Sequence, residues 1–353
     1  MTTERSVPRS LTDPLTDPVT DPAADPAAYP VARPPAAGQT PGPGPALSAE
    51  VADALARRAP VVALESTIIS HGLPRPRNLQ VARELEGIVR KAGAVPATVA
   101  VLDGVPRVGL GKEEVERIAE DPGLRKLGFR DLAPALATGA SGATTVSGTA
   151  FLAARAGIRV FGTGGLGGVH RGWVTVQDES ADLGLLARTR ITVVCAGVKS
   201  ILDVPATLQR LETLGVGVLG YGTDRFPGFY LTDSGEPVDW TVGDPGQVAA
   251  VMAAQDELGG PGSALIVANP VPRELQLDPG LHDRVLAAAL AAAGREGVTG
   301  QAITPFLLAY LTEHTQGASL EANLAAVRGN VALAAAIAVR WSERSQRSRR
   351  PPV

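Results

Sequence analysis

The chain has 353 residues, 44% of them hydrophobic and 20% charged, with 33 Lys+Arg against 36 Asp+Glu and a formal net charge of −3. That balance speaks against a protein that neutralises nucleic-acid phosphates over a broad basic face. The lone cysteine, Cys195, excludes an internal disulfide and suits a reducing compartment.

Eleven of the 29 prolines fall in residues 1–45, where Asp-Pro recurs every four residues from Asp13 to Asp25. Such a stretch lacks the periodic apolar residues that offset chain entropy, and each proline holds its predecessor extended. Residues 1–46 are therefore expected to be a disordered Pro/Asp/Ala-rich arm. No apolar run approaches the ~20 residues of a spanning helix, and no signal-peptide order is evident. A cytoplasmic location with no membrane association is expected.

From Leu47, read as a helix start, apolar segments alternate between two periods. Val61–Glu65, Ala97–Leu102, Ile158–Phe161, Ile191–Cys195, Val216–Leu219 and Ala264–Ala268 read as strands buried on both faces. Val101–Leu110 reads as a hairpin turning at Asp103-Gly104. Residues 78–92 carry an apolar stripe of helical period. Asp278-Pro279 and Thr304-Pro305 read as helix starts, and residues 279–341 as mostly helix. The fold expected is a layered α/β single domain over residues 47–341 with a mixed central sheet, followed by a basic flexible tail over 342–353.

Four segments carry candidate chemistry, three of them at strand ends. Glu65, closing the first strand, is either an acid raised by partial burial or a cap on the next turn. The run Gly162-Thr163-Gly164-Gly165-Leu166-Gly167-Gly168-Val169-His170-Arg171-Gly172 lets backbone N–H groups approach an anion, or is a structural crossing. On the first reading, valine at Gly164 or Gly165 should abolish ligand binding at nearly unchanged stability. Asp178-Glu179-Ser180-Ala181-Asp182 offers oxygens for a hard divalent cation, or simply acids in the first turn of a helix. Lys199, at the mouth of an apolar strand, is either an amine nucleophile or half of an ion pair. Chemistry alone does not single out Lys126 or Asn323. Ala143–Val146 has the composition of a strand.

Taken together these segments resemble the pseudouridine-5′-phosphate glycosidases over roughly residues 47–340. The resemblance rests on Ala63-Leu64-Glu65-Ser66-Thr67-Ile68-Ile69-Ser70-His71-Gly72, Val101-Leu102-Asp103-Gly104, Gly142-Ala143-Thr144-Thr145-Val146 and the glycine-rich run. Further on it rests on Ser180-Ala181-Asp182-Leu183, Gly197-Val198-Lys199-Ser200-Ile201-Leu202-Asp203, Gly220-Tyr221-Gly222-Thr223-Asp224, Ala268-Asn269-Pro270 and Ser319-Leu320-Glu321-Ala322-Asn323.

The resemblance implies reversible cleavage of the C–C glycosidic bond of pseudouridine 5′-phosphate to uracil and ribose 5-phosphate. It makes Lys199 the imine-forming nucleophile and Glu65 the proton donor. It makes Asp178 the ligand of one divalent ion, manganese. Lys126, Val146, Ser180, Ala181, Asp182 and Asn323 become substrate contacts, with His170 on the phosphate side. It further implies a homotrimer with an α-β-α layered sandwich. Two other readings stand beside it: a Schiff-base aldolase acting on a phosphorylated sugar, and a non-catalytic ligand-binding homologue.

Overall fold

The structure, a computed structural model, describes residues 44–260 and 262–347. The arm over residues 1–43 and the tail beyond 347 lie outside the described residues. Within them are eleven strands: β1 Ala46–Leu47, β2 Val61–Leu64, β3 Val95–Leu102, β4 Val105–Val108, β5 Arg125–Leu127, β6 Gly142–Thr144, β7 Val160–Gly162, β8 Thr192–Cys195, β9 Gly217–Tyr221, β10 Trp240–Val242 and β11 Leu265–Ala268. They join in the order β1-β4-β3-β2-β7-β8-β11-β9-β10, with β6 paired to β3 and β5 to β6.

The run from β3 through β10 is parallel throughout. Its central members β2, β7, β8 and β11 are buried at every position, which is why their sequences are apolar apart from Thr192. β4 and β6 run antiparallel to β3, so the sheet is mixed, as expected. The β3–β4 hairpin turns on Asp103 (φ 52°) and Gly104 (φ 74°), the positive pair that matches strand twist.

Side chains leave each strand on alternate faces, and the two faces feed two apolar layers. Ala63, Phe161, Val193 and Cys195 pack on one side, with Ala150 and Ala153 of the Val146–Arg155 helix. Val62, Leu64, Val160 and Val194 pack on the other, against Val331, Ala334 and Ile337 of the Ala318–Arg347 helix. That long helix meets the length and composition of a membrane span, which no apolar run of the sequence suggested. Val331, Ala334 and Ile337 are fully buried against the sheet, so the helix serves the core of this layer.

Four local expectations change. Ala46–Leu47 is a strand paired with Arg107–Val108, and the helix starts after Ser48, whose hydroxyl accepts from Val51 N at 3.2 Å. The Ile303–His314 helix grows out of a 3₁₀ turn at Gly300–Ala302, so Thr304 lies within its first turn and is not its cap. Pro305 is tolerated there because first-turn N–H groups have no acceptor inside the helix. β6 stops at Thr144 and a helix begins at Val146. The last helix runs past residue 341 to Arg347, anchored where Ser342 Oγ donates to the Arg58 carbonyl at 2.6 Å. Asp278 caps the Pro279–Glu296 helix as expected, accepting from Leu281 N at 2.7 Å.

Candidate active site

Three neighbouring parallel strands, β2, β7 and β8, end on the same edge of the sheet, and the loop after each carries one motif. Glu65 follows β2, the glycine-rich run follows β7, and Lys199 lies beyond β8. This is the edge where open parallel sheets place their ligands.

The two loops after β7 and β8 are zipped together through the backbone. Ala196 N donates to Gly164 O at 2.9 Å, Leu166 N to Gly197 O at 2.9 Å, and Lys199 N to Leu166 O at 3.1 Å. On that frame Lys199 Nζ donates to Gly165 O at 2.9 Å. Glu65 is held from two sides: Thr67 Oγ1 donates to its Oε2 at 2.5 Å, and Thr163 Oγ1 donates to its Oε1. The acid and the amine are thus both tethered to Thr163–Gly165. The two threonines were visible in the motifs, but nothing in the sequence assigned their hydroxyls to Glu65.

Lys126, at the middle of β5, joins the same charge cluster. It exposes much of its side-chain area, yet protein crowding the mouth lowers its pKa by desolvation; the Lys199 ammonium adds to this, and Asp182 and Glu65 oppose it. His170 is half-buried, and its backbone N–H donates to Asp178 O at 3.0 Å. Its pKa is lowered by burial, against the pull of Asp178, with Lys126 and Lys199 adding to the fall. Lys126, Lys199 and His170 therefore lie in one field shared with the carboxylates of Glu65, Asp182 and Asp178, and its two ammonium groups are suited to a phosphate.

The remaining candidates divide by what their atoms can reach. Asp182 is buried, and its two carboxylate oxygens accept from Ser147 N and Gly167 N, each at 2.9 Å. It braces the start of the Val146–Arg155 helix against the glycine loop. Ser180 caps the Ala181–Leu186 helix, accepting from Asp182 N at 3.2 Å, while Ala181 is exposed. The Val146 side chain is in the core, so that position can offer a ligand only its backbone at a helix N-terminus. Asn323, in the Ala318–Arg347 helix, has a buried Oδ1 without a hydrogen-bond partner, and it faces Gly164. An unpaired buried acceptor is costly unless a ligand donor completes it.

The donor set around Asp178 is sparse. Among the described residues no group of three or more His, Cys, Asp or Glu side chains is arranged to hold a metal. Glu179 is tied to Arg210 at 3.0 Å, and Asp182 is spent on two N–H groups. What the residues fit is a hard divalent cation held by one carboxylate and mostly by water.

One expectation about the loop is overturned. A Cβ on Gly165 would lie 2.5 Å from the ring of Phe229, a fully buried side chain. Gly165 is thus required by packing, and valine there would cost stability as well as binding. At Gly164 the nearest atom to an added Cβ is Asn323 Oδ1 at 3.3 Å, so the original reasoning applies better to that position.

A cavity of about 1210 Å³ opens at the opposite end of the strands, near Val61 and Val160. It contains neither Glu65 nor Lys199, and two of its cations are already paired, Arg159 with Asp256 and Arg340 with Glu343. The motif residues Glu65 and Lys199 lie at the other edge.

Comparison with known proteins agrees with this geometry. Residues 50–340 match the family described as indigoidine synthase A like protein. The chain is 75% identical over 295 residues to the pseudouridine-5′-phosphate glycosidase of Streptomyces griseus, covering 84% of this chain and 91% of that one. It is 61% identical over 300 residues to the enzyme of the same name from Frankia alni, covering 85% and 83%. A crystal structure of the prealnumycin C-glycosynthase AlnA in complex with ribulose 5-phosphate superposes with a TM-score of 0.81 at 37% identity, covering 87% of this chain and 100% of that one. An indigoidine synthase A-like protein from Thermotoga maritima superposes with a TM-score of 0.75 at 38% identity, covering 81% and 94%. With its motifs gathered on one sheet edge and this likeness along nearly the whole described chain, the protein belongs to the pseudouridine-5′-phosphate glycosidase family.

Proposed function

We propose that this protein reversibly cleaves the C–C glycosidic bond of pseudouridine 5′-phosphate, giving uracil and ribose 5-phosphate. The observation that carries the reading is the shared tether: Thr163 holds Glu65 and Gly165 holds Lys199, so one short loop holds both an acid and an amine. A C-glycoside has no exocyclic heteroatom to protonate, so the two-carboxylate scheme of ordinary glycosidases does not serve. An open-chain route does. The Lys199 amine adds to C1′ as O4′ leaves, and O4′ takes its proton from Glu65. The adduct nitrogen passes a proton to the Glu65 carboxylate, its lone pair forms C1′=N as the bond to uracil C5 breaks, and C5 takes up that proton. Water hydrolyses the imine, returning Lys199 and releasing ribose 5-phosphate.

Lys126, with His170 beside it, holds the 5′-phosphate through its ammonium group. The buried Oδ1 of Asn323 accepts a donor from the substrate, a uracil N–H in this reading. Ser180, Ala181 and the backbone at Val146 complete the lining. Asp178 would hold a hydrated manganese ion, whose charge, when bound, offsets that of the phosphorylated substrate. A homotrimer in the cytoplasm completes the reading.

The test is incubation with uracil, ribose 5-phosphate and manganese. Loss of uracil with formation of its C-nucleoside is expected, and absence of turnover in both directions overturns the reading. Borohydride should trap ribose 5-phosphate on Lys199; an adduct that persists in Lys199→Ala removes that residue from the chemistry.

A further inference from the structure

The tether that serves both catalytic side chains needs an anchor of its own, because Thr163–Gly165 leaves the sheet just where regular pairing stops. That anchor is a buried amide on the far side of the loop. Asn330, fully buried in the Ala318–Arg347 helix, donates through Nδ2 to Thr163 O at 2.8 Å and to Gly164 O at 3.1 Å. Its Oδ1 accepts from Asn269 Nδ2 at 3.0 Å. The orientation of the amide is forced, since two carbonyl oxygens can be met only by its NH₂. Asn269 in turn follows β11 and donates its backbone N–H to Cys195 O, the last residue of β8. The pair therefore ties the ends of β7, β8 and β11 to one helix through polar contacts in an otherwise apolar layer.

We propose that Asn330, backed by Asn269, is a positioning residue that sets both Glu65 and Lys199. It touches neither. It acts through the Thr163 backbone, whose hydroxyl donates to Glu65, and through Gly164, whose neighbour Gly165 accepts from Lys199 Nζ. Geometry at this level matters because displacements near 1 Å can cost about 100-fold in rate. A buried polar group in a core helix also costs stability relative to a well-packed apolar residue unless fully bonded, so an amide that served packing alone has better alternatives. The inference rests on the function proposed above for the same site.

The test compares Asn330→Leu, close in size without the amide, with Asn269→Ala, which frees the amide oxygen and leaves both donors in place. For Asn330→Leu, kcat should fall on the order of 10- to 100-fold with KM changed by less than about two-fold. The loss in a Thr163→Val, Asn330→Leu double variant should be smaller than the product of the two single losses, because both act on Glu65. Asn269→Ala should show the same kcat-selective pattern more weakly. A crystal structure of either variant should show the Thr163 hydroxyl away from Glu65. Wild-type kcat in Asn330→Leu, multiplicative losses in the double variant, or an undisturbed Thr163–Glu65 contact would overturn the proposal. If Asn330→Leu does not fold, the kinetics and structure of Asn269→Ala decide. Inactivity of the parent protein would refute the proposed function, and the crystallographic comparison would still judge the anchoring.

Discussion

Lys199 Nζ lies 2.9 Å from the carbonyl oxygen of Gly165, so the amine at the end of one strand is steadied by the loop leaving the next. Two residues earlier, Thr163 reaches Glu65. One short loop thus holds both a carboxylic acid and an amine that stand 134 positions apart in the numbering. Pre-set geometry of this kind is a large part of what a site contributes to rate.

Replacing Glu65 by Gln keeps the volume and one acceptor oxygen but removes the transferable proton. The rate of pseudouridine 5′-phosphate cleavage should fall by about 10²–10⁴, the usual contribution of a positioned acid or base. Ribose 5-phosphate should still be trapped on Lys199 by borohydride. Steady-state kinetics and mass spectrometry of the trapped protein check this, and full activity in Glu65→Gln removes the acid role.

Gly164 and Gly165 separate packing from binding. Gly165→Ala drives a Cβ to 2.5 Å from the buried Phe229 ring, so it should cost about 1–3 kcal/mol and lower Tm by several degrees. Gly164→Ala sets a Cβ 3.3 Å from Asn323 Oδ1 and in ordinary contact with Phe229 at 3.8 Å and Val327 at 4.0 Å; Tm should hold while KM for the nucleotide rises. Thermal melts of the two variants side by side decide, and equal Tm values would contradict this account of Gly165.

Asp182→Ala removes both acceptors that join Ser147 N to Gly167 N inside the protein. Hydrogen bonds to a charged group contribute about 1.5–3 kcal/mol each, so a loss of about 3 kcal/mol or more is expected. Denaturant unfolding measures it. Unchanged stability with a raised KM would instead make Asp182 a direct substrate contact.

The pKa of His170 is lowered from 6.5, chiefly by burial, and His71 moves in the same direction. The unfolded chain takes up these protons as pH falls through about 6.5, while the folded protein does not until lower pH. The stability contribution is therefore complete above 6.5 and is lost on descending toward the lowered folded values. Tm should drop between pH 7 and 5, and less so in His170→Asn. On the alkaline side the lowered pKa of Lys126 has the opposite consequence for binding. KM should rise at a pH below that of an ordinary lysine, and Lys126→Arg should remove the rise. A KM flat across that range would refute the phosphate role of Lys126.

The sequence already contained the strands, because a sheet buried on both faces demands nearly continuous apolar runs such as Val61–Leu64 and Leu265–Ala268. It also held the hairpin at Asp103-Gly104 and the cap at Asp278, where one side chain or one φ angle decides. Helix starts without such a local cause, as at Thr304, were legible only within a few residues.

Chemical identity was local as well: Glu65, Lys199 and the glycine run announce themselves by standing at the ends of apolar strands. What only tertiary structure decided is which groups meet. Thr163 on Glu65, Lys199 on Gly165, Phe229 behind Gly165, and Asn330 beneath Thr163 are all set by strand order and helix packing. Those contacts join residues tens to hundreds of positions apart, so no periodicity or spacing along the chain encodes them.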